Sequence, residues 1–256
     1  MYKPPETSVF YEAWLPGETP HAIKTTRFDP TKEEQEKVPY NSYGSQKDRT
    51  LKNHVAALNF EHEEIPENGA LLVIGSGVTR RFERELHEAR PDILVASIDP
   101  LLRYGVRERV RLAIQSSASR VAPGIDSMGY GVEFPYEVLS EHSYYRAGAA
   151  AGAVAVTDSI RQGLPFKKES FDGVVAMHSV PQYSRATEIP YLLEETIRVM
   201  KRNTTARFYP FFLEDLWALG AKGVAGHITQ PVIDAPKWYD VTDYSPLQRR
   251  VAFQKI

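Results

Sequence analysis

The stretch LLVIGSG, residues 71–77, constrains the fold of this chain most, because four apolar residues run directly into two glycines. An apolar run without alternation is typical of a strand covered on both faces, as in parallel sheets flanked by helices. Glycines after such a strand let the backbone turn sharply and approach a ligand, and a helix that follows favours negative charge at its first turn. We call residues 75–77 the glycine turn. Its position between a strand and a helix predicts a nucleotide-binding site.

Strands and helices alternate through the middle of the sequence. Apolar runs predict strands, which lie at 70–76, 92–100, 153–158, 171–180 and 206–212. Helical periodicity predicts helices, which lie near 46–60, at 79–89, near 103–117 and at 188–201. Residues 249–256 are predicted to form one more strand, whose polar residues suit the edge of a sheet. Repeated strand–helix units build parallel sheets, so we predict an α/β, doubly wound Rossmann-like fold.

Composition and charge exclude several classes of function. The 256 residues contain no cysteine, which excludes disulfides and cysteine nucleophiles, and the seven histidines lack metal-ligand spacing, so no metal is expected. A net charge of −2 gives no general attraction to nucleic acid. The N-terminus has no apolar segment of signal-peptide length, and the most apolar run, 147–156, is too short for the ~20 residues that span a bilayer. We therefore expect a cytoplasmic protein without a membrane partner, while its oligomeric state, a homodimer included, stays open.

The residues around the glycine turn favour an adenosine ligand over a dinucleotide. Asp99 ends the next predicted strand, where its carboxylate is placed to accept hydrogen bonds from the two ribose hydroxyls. A dinucleotide would favour a third glycine or alanine for close packing beside a pyrophosphate, but Arg80 occupies that position. A nicotinamide-dependent oxidoreductase is therefore disfavoured. A purely structural strand–helix turn is the alternative interpretation of the glycines.

Blocks in the second half of the chain sharpen this prediction. The sequences DSIRQGLPF at 158–166, ESFDGVVA at 169–176 and EETIRVMK at 194–201 resemble class I S-adenosylmethionine-dependent methyltransferases. The resemblance covers about residues 66–212 and the closing strand, which this family inserts antiparallel. It implies a mostly parallel sheet with an antiparallel C-terminal strand. The chain departs from the family in lacking the third glycine and in having RNTT, residues 202–205, where Pro-Gly-Gly is usual.

The resemblance implies S-adenosyl-L-methionine as the cofactor, held at the ends of the strands. The residues that it implies are Gly75, Ser76 and Gly77 at the methionine end, Asp99 and Pro100 at the ribose, Asp158 and Ser159 at the adenine, and His178 beside the transferred methyl group.

His178 is also a candidate general base, because an imidazole titrates near neutrality and can accept a proton from a hydroxyl or an amine. Methyl transfer from a sulfonium needs mainly in-line positioning, so the alternative is a histidine that only lines the pocket. Arg103, Arg107 and Arg111 recur at helical spacing and allow an RNA substrate, against the alternative of a solvated helix face.

Two segments outside the core of the methyltransferase domain are expected to contact the methyl acceptor. Residues 1–60 are predicted to form an arm and a helix that cover the strand ends, and 61–256 the methyltransferase domain, with an insertion near 118–150. Tyr40 and Tyr43 of the arm, with Tyr183, are candidate contacts to the substrate. We therefore predict methyl transfer to an oxygen, nitrogen or carbon of a small molecule, with an RNA methyltransferase or a non-catalytic cofactor-binding protein as alternatives.

Overall fold

The fold is taken from a computed structural model. It describes residues 8–11, 22–25, 50–76, 80–99, 107, 110, 139, 153–156, 163–177, 179–181, 184, 186–234 and 248–256. No helix in these parts of the chain is long and apolar enough to cross a membrane.

A seven-stranded sheet forms the centre of the molecule. Two N-terminal strands, β1 (Ser8–Tyr11) and β2 (Ala22–Thr25), pair with each other in a separate antiparallel sheet. The strands of the large sheet are β3 (Ala70–Ile74), β4 (Leu94–Ile98), β5 (Ala153–Val156), β6 (Phe171–Met177), β7 (Met200–Phe212), β8 (Val232–Asp234) and β9 (Gln248–Gln254). Their order is β5-β4-β3-β6-β7-β9-β8, and β9 runs antiparallel to both of its neighbours while the other pairings are parallel. The predicted fold class is confirmed.

Helices cover both faces of this sheet, because its apolar strands have two sides to bury. The helices are α1 (Leu51–Leu58), α2 (Arg81–Ala89), α3 (Ile189–Val199) and α4 (Lys222–Ala225), with 3-10 turns at His62–Glu64, Ala186–Glu188 and Leu213–Gly220. One core cluster joins α1 and α2 to the sheet, and the other joins α3, α4 and the turn Leu213–Gly220 to the opposite face. The sheet is therefore doubly wound.

The order of the strands reverses direction at β3, and this place is called the switch point of the sheet. From β3 the chain proceeds outwards through β4 to β5, and then returns to β6 on the other side of β3. Ligands of open α/β sheets bind beyond the carboxyl ends of the strands at such a point. The glycine turn directly follows β3, so it lies there.

One expectation about the last strands requires correction. The closing strand is not at the edge, because β9 lies between β7 and β8, and the short strand β8, which the sequence pattern did not indicate, is the edge. The polar side chains of β9 are accommodated in the interior of the sheet by specific partners: Arg250, for example, pairs with Asp234 of β8.

Strand β7 begins earlier than its apolar run indicated. It starts at Met200, directly after α3, where Met200 pairs with Phe171. The pairing is then interrupted until Thr205 pairs with Gly173, and Asn203 has a positive φ of 61° within the interruption. The departure from Pro-Gly-Gly at 202–205 is thus a bulge in a continuous strand.

Candidate functional site

Gly75 makes the chain turn at the end of β3 in a conformation that suits glycine. Its φ is +76°, in the left-handed region that residues with a Cβ seldom adopt. Its N–H donates to the carbonyl of Ile98, 2.7 Å away, at the last pair of β3 with β4, Ile74 with Ile98. A Cβ at this position would lie 2.1 Å from the Cβ of Ser179. Both the backbone conformation and the neighbouring side chain therefore require glycine here.

Ser179, two residues after β6, meets the glycine turn from the other side. Its hydroxyl donates to the carbonyl of Ile74 over 2.6 Å, and the residue is buried. The strand ends of β4 and β6 thus both contact the end of β3. Sequence reasoning did not select Ser179, because it placed this residue inside the predicted strand 171–180, whereas β6 ends at Met177.

Asp99 and Ser76 lie beside this contact and are buried. Asp99 follows Ile98, the residue that accepts the hydrogen bond from Gly75, and only 6% of it is exposed. The structure therefore brings three residues of the predicted cofactor site, Gly75, Ser76 and Asp99, to adjoining strand ends. Their assignment to the methionine and ribose parts of a cofactor stays a prediction.

Arg80 occupies the position of the missing third glycine and has a left-handed backbone conformation, which glycine adopts most readily. It caps the N-terminus of α2 with φ 53° and ψ 35°, in the left-handed region. A left-handed conformation costs a residue with a Cβ about 1–2 kcal/mol. Arg80 is nonetheless buried. The chain thus has a buried arginine in a left-handed conformation where the family pattern has a glycine.

A buried carboxylate ties α2 to β4 below the turn. Glu83 lies in the first turn of α2 and has no exposed surface, and its Oε1 accepts a hydrogen bond from the Ser97 hydroxyl over 2.7 Å. The N-terminus of a helix favours a negative side chain, which helps to offset the cost of burial. Ser97 is two residues before Asp99, so this bond also holds the strand end that carries Asp99. Sequence reasoning missed Glu83, because a charged residue in a polar helix normally indicates an exposed face.

The Leu-Pro-Phe block, residues 164–166, is held by α3. Arg198 donates to the carbonyls of Leu164 and Phe166, both at 2.7 Å, and Glu195 accepts from the N–H of Leu164 at 2.8 Å. Arg198 and Glu195 also form an ion pair. The hydrogen bond from Arg198 is the main cause that lowers the pKa of the Glu195 carboxyl below its usual value, and burial opposes it. Helix α3 therefore fixes the position of this block, which follows residues 158 and 159 in the sequence.

The Ser-Phe-Asp block, residues 170–172, lies at the opposite end of the sheet. Asp172 accepts from the N–H of Ala70, the first residue of β3, over 2.9 Å and pairs with Lys201 over 2.8 Å. A cavity of about 270 Å³ opens beside it, between Ile65, Gly173 and Arg207. Both features are remote from the glycine turn, so the role of Asp172 is to join β3, β6 and β7.

Helix α1 packs on the face of the sheet that α2 also covers. The imidazole of His54 stacks on the ring of Phe82 with centroids 3.8 Å apart, and the N–H of Leu51 donates to Glu85 over 2.7 Å. The same core cluster contains Met177 and Tyr209, near the carboxyl ends of β6 and β7. The predicted cover over the strand ends comprises residues 1–60, the arm together with this helix, and it stays a prediction.

The remaining predicted site residues lie outside the described residues. They are Gly77, Pro100, Asp158, Ser159 and His178 of the cofactor site, and Tyr40, Tyr43 and Tyr183 of the substrate site. Of the arginines at helical spacing, Arg107 is exposed on helical backbone, and the other two are outside as well. Within the described part of the chain, no three histidine, aspartate or glutamate residues are grouped as they would be around a metal ion.

No family model and no curated protein sequence matches the chain. Among solved structures, it is similar to a geranyl diphosphate C-methyltransferase from Streptomyces coelicolor, with a TM-score of 0.46 and 10% identity over 83% of this chain and 79% of that one. It is also similar to an S-adenosylmethionine-dependent methyltransferase from Aquifex aeolicus, with a TM-score of 0.42 and 14% identity over 89% and 98% of the two chains.

A third similar structure, named for a sarcosine dimethylglycine methyltransferase from Galdieria sulphuraria, has a TM-score of 0.36 and 14% identity over 64% of this chain. The chain spans 46% of that protein's length. The strand order described above, and not these similarities, establishes the fold. The structures similar to this chain include S-adenosylmethionine-dependent methyltransferases, the family that the sequence blocks resemble.

Proposed function

We propose that the protein transfers a methyl group from S-adenosyl-L-methionine to an oxygen, nitrogen or carbon of a small molecule. The observation that carries the proposal is that Gly75 is hydrogen-bonded to the end of β4, directly before the buried residue Asp99. This contact lies at the switch point of the sheet. When bound, the cofactor's sulfonium supplies an activated methyl group, so the protein has mainly to orient the reactants and exclude water.

The residues at the ends of β3 and β4 fit an adenosine that is joined to an amino acid, as in S-adenosylmethionine. The carboxylate of Asp99 can accept hydrogen bonds from both ribose hydroxyls, and such bonds to a charged group are the strong ones. Gly75 brings backbone without a side chain to the end of β3, which suits close approach of the methionine end at Ser76 and Gly77. The N-terminus of α2 behind the turn favours the negative carboxylate of an amino acid.

The other proposed contacts follow from the sequence resemblance. Pro100 extends the ribose contact, Asp158 and Ser159 receive the adenine, and His178 faces the methyl group, where it lines the pocket or accepts the acceptor's proton. The acceptor side would be completed by Tyr40, Tyr43 and Tyr183, with the insertion near 118–150. Insertions at strand ends commonly determine which substrate enters.

Calorimetric titration of the full chain tests the cofactor. S-adenosylmethionine and its demethylated product S-adenosylhomocysteine should bind with dissociation constants near the micromolar level, about −8 kcal/mol. NAD should bind far more weakly, because the turn at Arg80 lacks the small residue that packs beside a pyrophosphate. Tight binding of NAD, with no response to either sulfur compound, would contradict the proposal.

Catalysis needs a separate test from binding. Transfer of a labelled methyl group from S-adenosylmethionine to pooled small molecules, with total RNA as a parallel substrate, separates the possible acceptors. Labelled small molecules are the expected result. If only RNA were labelled, the substrate would be RNA and not a small molecule. If the protein bound the cofactor but labelled neither pool, a non-catalytic protein would be favoured.

A further inference from the structure

The end of β3 is held by a side chain at a point where backbone pairing with β6 has stopped. The pairs between the two strands are Leu71 with Gly173, Leu72 with Val174 and Val73 with Val175. The next carbonyl of β3, that of Ile74, accepts its hydrogen bond from the hydroxyl of Ser179 over 2.6 Å. This bond is buried, since 5% of Ser179 is exposed. A serine side chain therefore continues the pairing that the backbone of β6 no longer provides.

The same peptide group is held from its other side by β4. The carbonyl of Ile74 and the N–H of Gly75 belong to one peptide unit, and the N–H donates to Ile98 over 2.7 Å. A planar peptide unit with both polar groups engaged cannot rotate without losing one of the two bonds. The orientation of this unit sets the direction in which the chain leaves β3, and so sets the position of the glycine turn.

Steric contact reinforces the hydrogen bond. A Cβ on Gly75 would lie 2.1 Å from the Cβ and 2.7 Å from the Oγ of Ser179, so glycine and serine are in close contact across the turn. A larger residue at either position would push the two strand ends apart. The pair thus fixes the distance between the turn after β3 and the segment after β6, which also contains His178.

We propose that Ser179 is a positioning residue for the cofactor site, acting through the peptide group between Ile74 and Gly75. The inference rests on the proposed function, since it concerns how the same site is held for an adenosine cofactor. Ser179 need not touch the cofactor. Its hydroxyl keeps the glycine turn in the geometry that binds, and without it the turn would sample orientations that do not bind.

The test compares Ser179→Ala with a matched control, Thr196→Val. The Thr196 hydroxyl is also buried and also donates to a backbone carbonyl, that of Leu192 at 2.9 Å, but this bond lies within α3. Both variants lose one hydroxyl–carbonyl bond, and both should unfold at a lower temperature than the wild type. S-adenosylhomocysteine is the probe, titrated by calorimetry into the full chain of each variant.

Ser179→Ala should weaken S-adenosylhomocysteine binding about threefold to tenfold, the range that one neutral hydrogen bond contributes. Thr196→Val should stay within about twofold of the wild type, because changes at separate sites act independently.

The outcomes separate this inference from the proposed function. If the wild type fails to bind either S-adenosylmethionine or S-adenosylhomocysteine, the proposed function fails. If the wild type binds and Ser179→Ala binds equally well, the positioning role of Ser179 is wrong while the function stands. Equal weakening of binding by Ser179→Ala and Thr196→Val would also overturn the role, because the effect would then be general loss of stability.

Discussion

Replacing Gly75 by alanine should destabilise the protein strongly, through two costs that the structure separates. The first is conformational, because φ at Gly75 is +76° and a Cβ in the left-handed region costs about 1–2 kcal/mol. The second is steric, because the new Cβ would lie 2.1 Å from the Cβ of Ser179. Carbon atoms in favourable contact are about 3.5–4.0 Å apart, and overpacking of this kind costs about 1–3 kcal/mol. Together these give a loss of about 2–5 kcal/mol in the free energy of unfolding.

Gly226→Ala is the matched control. Gly226 has φ −80°, and no atom lies within 4 Å of the place where its Cβ would be. A substitution of this kind, at a position whose backbone any residue can adopt, stabilises a protein by about 0.4–1 kcal/mol or leaves it unchanged. The two substitutions add the same methyl group, so the difference between them measures the environment of Gly75.

The measurement is urea unfolding followed by circular dichroism for Gly75→Ala, Ser179→Gly, the double variant and the control. The double variant removes the atom that the new Cβ meets, so the two substitutions should couple favourably by about 1–3 kcal/mol. A free energy for Gly75→Ala within about 0.5 kcal/mol of the wild type would refute the reasoning. So would a coupling of zero, because Gly75 and Ser179 would then not be in contact.

Further predictions concern the cofactor, the pH dependence and the arm. Asp99→Ala should weaken S-adenosylhomocysteine binding at least about tenfold, since it removes hydrogen bonds to a charged group worth about 1.5–3 kcal/mol each. Asp92→Ala, at the other end of β4, should destabilise the fold without weakening S-adenosylhomocysteine binding. If both variants bound S-adenosylhomocysteine equally well, the ribose contact would lie elsewhere. Glu195→Gln should be less stable than the wild type at pH 7, because the pKa of Glu195 is lowered in the folded protein. The stabilisation from ionised Glu195 is fully present above the unfolded pKa of about 4.3 and is lost as the pH falls through the lower pKa of the folded protein. The difference in unfolding free energy between the wild type and Glu195→Gln should therefore shrink on acidification. A difference that stays constant with pH would contradict this prediction. Deleting residues 1–44 should leave cofactor binding intact and abolish methyl transfer, whereas unchanged turnover on the true acceptor would show that the arm is not a cover.

Much of the sheet could be predicted because the apolar sequence of a strand indicates that the strand is buried. Strand β3 is apolar throughout, and β4 and β6 are mostly apolar without alternation, since each strand is covered on both faces. This property can be read without knowing the neighbours. Asp99 could be found in the same way, as a carboxylate directly after such a run. The glycine turn was also a local signal, because glycine alone supplies the backbone conformation at residue 75 without strain.

The partners of these residues could not be predicted, because they come from remote parts of the chain. Ser179 meets Ile74 across 105 residues, and nothing near Ser179 in the sequence indicates an acceptor for its hydroxyl. The burial of Glu83 depends on Ser97 in the next strand, so a charged helix residue that is normally exposed became part of the interior. For the same reason, the sequence misplaced β9 at the edge: polar residues indicate an edge only when no partner such as Asp234 pairs with them.

The sequence by itself determined the class of fold, the strand that ends in the glycine turn and the acid at the end of β4, since all three depend on the physical properties of consecutive residues. Only the tertiary structure decided how that turn is held. The peptide group after Ile74 takes its orientation from β4 on one side and from Ser179 on the other, and both contacts exist only when strands far apart in sequence lie side by side. Local propensity acts over a few residues, whereas the geometry of a binding site depends on which strand ends meet.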